Sequence, residues 1–185
     1  MANFKALVEA YGGTALRWSQ DRFIGRSTFG HEGVCAALAA KWIKDRKAGI
    51  NFAADTNTQD GREEVMQMAL NQHKNPTKYV AEYLQLFGLY KHFTQFLHGE
   101  LSIGELTAIA TGGPGYYFIG LTSKGVEKEL SGHAFAVDMF KLKFFDPNFG
   151  QATFDNEDDL KKCFTAWFRL IYIDLHGAAF IERYI

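Results

Sequence analysis

The chain has 185 residues, 47% of them hydrophobic and 15% aromatic, with 20 basic residues against 21 acidic ones. That length fits one domain, residues 1–185, with a core of its own. The even charge, with no long run of one sign, argues against a nucleic-acid groove or a polybasic membrane patch.

Two cysteines, Cys35 and Cys163, are too few for a disulfide-stapled secreted fold. In chain order, Asn3–Tyr11 reads as an amphipathic helix ended by Gly12-Gly13, not as a cleavable signal peptide. Ser19–Glu32 reads as a polar, glycine-punctuated loop, and Gly33–Lys44 as an alanine-rich helix, apolar nearly all round and therefore deeply buried. A polar loop is expected over Asn51–Gly61, then helices over Arg62–His73 and Lys78–Leu97, separated by Pro76. The second of these rests on Tyr79, Val80, Tyr83, Leu84, Phe87, Tyr90, Phe93, Phe96 and Leu97 at helical spacing.

From the turn cluster Gly112-Gly113-Pro114-Gly115 the texture changes. Strands are expected at Tyr116–Thr122, His133–Phe140 and Leu142–Phe145, then a helix over Glu157–Leu170. Short strands at Tyr172–Leu175 and Ala179–Tyr184 would follow, with Gly177 at the bend. No stretch is long and apolar enough for a membrane span. A helical first half followed by an antiparallel sheet is an α+β fold.

Three residues carry a candidate chemistry. Cys35 falls in the first turn of its helix, after Gly33, where the positive end of the helix dipole favours a thiolate. Taken alone it reads equally as a small core residue. His133 opens a strand after Gly132; taken alone it reads as an ordinary hydrogen-bonder. Suppose Met139–Leu142 closes a hairpin with Phe140 and Lys141 as its two loop residues. Phe135 then faces Asp146 and His133 faces Asn148, so His133, Asp146 and Asn148 share one side of the sheet. A slip of one residue would separate them.

The segments Gly33–Ile43, Gly132–Ala136 and Phe144-Phe145-Asp146-Pro147-Asn148-Phe149-Gly150 resemble the YopT/AvrPphB family of bacterial effector cysteine peptidases. The resemblance implies a papain-like fold, with a helical lobe bearing the nucleophile packed on an antiparallel sheet bearing histidine and aspartate. It implies Cys35 as nucleophile, His133 as general base and acid, and Asp146 as the orienting residue. It also implies a protein substrate in a host cell, reached by export without a cleaved signal, through secretion machinery or with a chaperone. No metal or organic cofactor is required.

The chain departs from papain-like enzymes in having no Gln or Asn a few residues before the cysteine. The Cys35 backbone N–H is expected to supply one oxyanion donor, with His31 and Gln20 as candidates for the second. Two other readings remain: a glutamine deamidase or transglutaminase-like toxin domain on the same three residues, and a non-catalytic binding module on this fold. His73, His92, His98 and His176 lack metal-site spacing. The Gly112–Gly115 cluster lacks the residues of a phosphate loop, and Cys163 reads as packed core.

Overall fold

The computed structural model describes residues 3–21, 34–74, 78–98, 102–122, 132–172 and 178–185. Within them the chain forms α1 (Phe4–Ala10), β1 (Thr14–Arg17), α2 (Val34–Ala48), α3 (Phe52–Asp55), α4 (Gln59–Lys74), α5 (Tyr79–Gln85) and β2 (Lys91–His98). It continues with α6 (Ile103–Ala110), β3 (Tyr116–Thr122), β4 (Gly132–Asp138), β5 (Lys143–Asp146), β6 (Gly150–Thr153), α7 (Glu157–Ile171) and β7 (Ala178–Tyr184). The class is α+β. All seven strands join one antiparallel sheet in the order β1-β6-β5-β4-β3-β7-β2.

Strand alternation gives the sheet two apolar faces, and helices cover both. Phe135, Val137 and Phe144 point to one face, where Phe4 of α1, Leu106 of α6 and Phe164, Trp167 and Phe168 of α7 close over them. Ala134, Ala136 and Phe145 point to the other, against Val34, Leu38 and Trp42 of α2. Small residues on both sides of the α2–β4 contact let helix and strand approach closely.

The buried character expected of α2 is observed: Val34, Ala36 through Ile43, Lys44 and Asp45 are all buried. Lys41 is fully buried within it, a position tolerable only with compensating charge. Its Nζ reaches Glu64 of α4 at 2.7 Å, Asp45 one turn along α2 at 3.1 Å, and Asp55 of α3. Glu64 also takes Lys44 at 2.7 Å and the Tyr83 hydroxyl of α5 at 2.7 Å. One ionic knot thus fastens α3, α4 and α5 to the helix that carries Cys35. Where α2 stops, Gly49 takes φ 70° and the Ile50 N–H closes back on the Asp45 carbonyl at 2.8 Å.

Four expectations need correction. The helix expected over Lys78–Leu97 ends at Gln85; Gly88 at φ 72° breaks it, and Lys91–His98 is an edge strand hydrogen-bonded to β7. The expected loop Asn51–Gly61 contains α3 and the start of α4, with the Asn51 side chain capping α3 through the Ala54 N–H. Strands β1 and β6 and helix α6 were not anticipated. The connection after β4 is a four-residue turn, Met139–Leu142, with Leu142 at φ 49° and the Asp138 carboxylate accepting the Phe140 and Lys141 N–H groups. The strand register it produces is nevertheless the expected one: Asp138 pairs with Lys143, Val137 with Phe144 and Ala136 with Phe145. Of the strand proposed over Tyr172–Leu175, Tyr172 instead caps α7; the rest of it, the Gly177 bend, Pro76 and most of Ser19–Glu32 fall outside the described residues.

Candidate active site

Cys35 is the second residue of α2 and half-buried, at the sheet end where β4 begins. No acidic side chain occupies the first turn of this helix, so its N-terminal positive potential is left for a sulfur anion, while Arg46 and Lys47 complement the other end. The Cys35 side chain acts electrostatically on the His133 ring. His133 Nε2 faces the Asp146 Oδ1 at 3.0 Å.

His133, the second residue of β4, is buried, and Asp146, the last residue of β5, is buried almost completely. Burial alone would strip the imidazole of its charge. The Asp146 carboxylate and the Cys35 sulfur outweigh it and raise the His133 pKa from 6.5 to about 10. Burial likewise works against the Asp146 carboxylate, but His133, Tyr172 and the Asn148 N–H together hold its pKa below the usual carboxylate value. The pair is therefore imidazolium and carboxylate at neutral pH.

Asp146 is saturated with donors. Oδ1 accepts from His133 Nε2 and from the Asn148 backbone N–H at 2.9 Å. Oδ2 accepts from the Trp167 indole Nε1 at 3.1 Å and the Tyr172 hydroxyl at 2.5 Å. The Tyr172 ring also lies against the imidazole, with centroids 5.0 Å apart and planes 18° from parallel. Neither residue was singled out by sequence. Trp167 sat at core spacing within a helical pattern; Tyr172 follows the last turn of α7. The available signal was chemical: a buried Trp or Tyr needs a partner for its polar hydrogen.

Among the candidate oxyanion residues, Gln20 lies beside the turn that follows β5. The segment after β1 runs along that turn, with the Trp18 N–H on the Phe149 carbonyl at 3.3 Å and the Gln20 N–H on the Pro147 carbonyl at 2.7 Å. The Gln20 side-chain Nε2 donates to Asn148 Oδ1 at 2.5 Å. His31 lies outside the described residues. Among the described residues no group of three or more His, Cys, Asp or Glu side chains is gathered to hold a metal ion, and no helix is long and apolar enough to cross a membrane.

The arrangement is the α+β framework of a helix N-terminus set against the end of an antiparallel sheet. Among solved structures the chain is similar to the Pseudomonas avirulence protein AvrPphB, with a TM-score of 0.59 at 15% identity over 84% of this chain and 93% of that one. At that identity the likeness is one of fold. No family model and no curated protein sequence matches the chain.

Proposed function

We infer that the chain is a cysteine peptidase that cleaves a protein through a thioester acyl-enzyme. The observation that carries this reading is the buried His133–Asp146 pair, Nε2 to Oδ1 at 3.0 Å, with the half-buried Cys35 at the start of α2 acting electrostatically on the same imidazole. In the proposed cycle the Cys35 thiolate, paired with the His133 imidazolium, attacks a carbonyl carbon. The Cys35 backbone N–H at the start of α2 receives the oxyanion. His133 gives its proton to the leaving amine and then serves as base for the water that hydrolyses the thioester. Asp146 fixes the imidazole tautomer and its charge. For the second oxyanion donor Gln20 is the described candidate, a side-chain amide held against Asn148 at the turn after β5.

The fold likeness to an avirulence protein, with the motif resemblance to effector peptidases, supports a bacterial effector acting on a host protein. In this reading residues 1–185 are one peptidase domain, exported without a cleaved signal by secretion machinery or with a chaperone. The test is N-terminal proteomics of target-cell lysate treated with the intact chain or with Cys35→Ala. New protein N-termini that appear only with the intact chain are expected. A gain of one amide-to-acid mass change without cleavage would replace peptidase by glutamine deamidase. No Cys35-dependent change of either kind would leave a non-catalytic binding module.

A further inference from the structure

Away from Cys35, a cavity of about 260 Å³ opens between the far end of α2 and the β1-β6-β5 side of the sheet. Its walls include Leu16, Trp18, Trp42, Arg46, Lys143 and Gln151. We propose that this cavity binds a small carboxylic acid, with the carboxylate held between Arg46 and Lys143 and a compact apolar body against the remaining wall. The inference does not rest on the peptidase reading.

The charge balance selects an anion. Lys143 pairs with Asp138 across β4 and β5, and Arg46 reaches the same carboxylate, Nε to Oδ2 at 3.2 Å. Asp138 is buried, and its Oδ1 already accepts the Phe140 and Lys141 N–H groups at 3.0 and 3.1 Å. Among the described residues Lys143 has no ion-pair partner of its own, and Arg46 has none besides Asp138. Two cations therefore share one carboxylate, and one positive charge on the cavity wall is left unbalanced. Burial and the charge of Arg46 hold the Lys143 pKa below that of an ordinary lysine. A single entering carboxylate balances the wall, and a planar guanidinium suits that group.

The rest of the wall is apolar and already braced. The Trp42 ring stacks on Phe145 with centroids 5.6 Å apart and planes 9° from parallel, and Trp18 packs on Phe52 at 5.3 Å. Trp42 Nε1 donates to Gln151 Oε1 at 3.0 Å, which ties the end of α2 to β6 across the cavity. Leu16 and Ile50 stand at the wall and are exposed, so the cavity opens to solvent. Pockets for small ligands begin at about 300 Å³, so this one suits a single ring with its acid group and not a peptide. It is also separate from the candidate active site. Arg46 follows Cys35 by eleven residues on α2, about 16 Å along the helix axis. Phe145 in the wall and Asp146 are neighbours on β5 and point to opposite faces of the sheet.

The three tryptophans provide the test, because Trp18 and Trp42 line the cavity while Trp167 donates to Asp146 on the other face. The full chain, with its indole nitrogens isotopically labelled, is titrated by nuclear magnetic resonance with benzoate, with its neutral isostere benzamide and with acetate. Benzoate is expected to shift the Trp18 and Trp42 indole signals saturably and to leave Trp167 in place. Benzamide, which lacks the charge, and acetate, which lacks the ring, are each expected to bind more weakly. Lys143→Met is expected to weaken benzoate binding by about tenfold with an unchanged melting temperature. Indole signals that stay put with benzoate overturn the proposal. So does benzamide binding as tightly as benzoate, a result in the parent chain that holds whether or not the variant folds. Acetate binding as tightly as benzoate removes the apolar body from the ligand class, and movement of Trp167 together with the other two removes the cavity as the site. Undiminished benzoate binding in Lys143→Met would likewise end it.

Discussion

His133 Nε2 and Asp146 Oδ1 lie 3.0 Å apart, with both side chains shut away from water. An ion pair in that position ties stability to pH. The folded His133 pKa of about 10 stands above the ordinary 6.5. Its stabilising contribution is therefore complete below 6.5 and is lost as pH rises through about 10. Asp146 runs the other way: its pKa is lowered on folding, so its contribution is present above the usual carboxylate value and lost as pH falls toward the lowered one. Urea unfolding of the wild type is expected to weaken on the alkaline side of 6.5, and His133→Phe to flatten that decline. Parallel curves would mean that His133 carries no proton-linked stability.

The two thiols should behave differently. Cys163 is fully buried among Phe164, Trp167 and Phe168, and burial pushes its pKa up to about 12. Cys35 is half-buried and acts electrostatically on the His133 ring. Iodoacetamide at neutral pH is expected to add once to the folded chain, and not at all to Cys35→Ala. Intact mass reads the count. A single adduct that persists in Cys35→Ala would place the reactive sulfur at Cys163.

Lys41 is the hub of the ionic knot under α2, facing Asp45, Asp55 and Glu64 with no exposure of its own. Lys41→Ala leaves three carboxylates crowded around a void. A loss of about 3–5 kcal/mol is expected in denaturant unfolding. A variant as stable as the parent would mean that water enters and the knot is not a structural tie.

Gly150 sits at φ 126°, and a Cβ there would meet the Leu16 carbonyl oxygen at 2.1 Å. It pairs with Asp146 on one side and with Arg17 on the other, so it controls how β1 closes on the turn beneath Asp146. Gly150→Ala is expected to cost about 1–3 kcal/mol in the backbone alone, read as a lower melting temperature, and to slow Cys35 alkylation. Unchanged melting would show that the β1 edge yields freely.

The parts of the molecule legible in the sequence were those with one dominant cause. The run Val34–Ala40 is small and apolar nearly all round, which marks a buried helix. The spacing from His133 to Asp146 sets the face of each side chain whether the hairpin loop has two residues or four, because the register sum is the same. That is why the His133 and Asp146 side chains meet.

What could not be read had competing causes. Phe93, Phe96 and Leu97 fit a helical stripe, yet Phe93 and Leu97 also lie on one face of a strand, and Phe96 is 60% exposed on an edge. Only Gly88 argued against a continuous helix. Thr14–Arg17 is too exposed to print an alternation. The cap at Asn51, three residues before the N–H that it accepts, was the overlooked sign of α3. At the site, two donors to Asp146, Trp167 and Tyr172, come from α7 and its C-terminal cap more than twenty residues away, and a core spacing does not say where an indole N–H points.

Strand β7 lies between β3 and β2, and among the described residues β2 has no other partner in the sheet. On a ribosome, everything through α7 emerges before that strand does, so Lys91–His98 must wait as an unpaired ribbon while the rest of the chain is made. The last backbone bonds of this closure, between Tyr90 and Ile185, span nearly a hundred residues. Loop closure on that scale makes assembly late and slow, and shortening the polypeptide by its final eight residues would remove an interior stave rather than trim an edge.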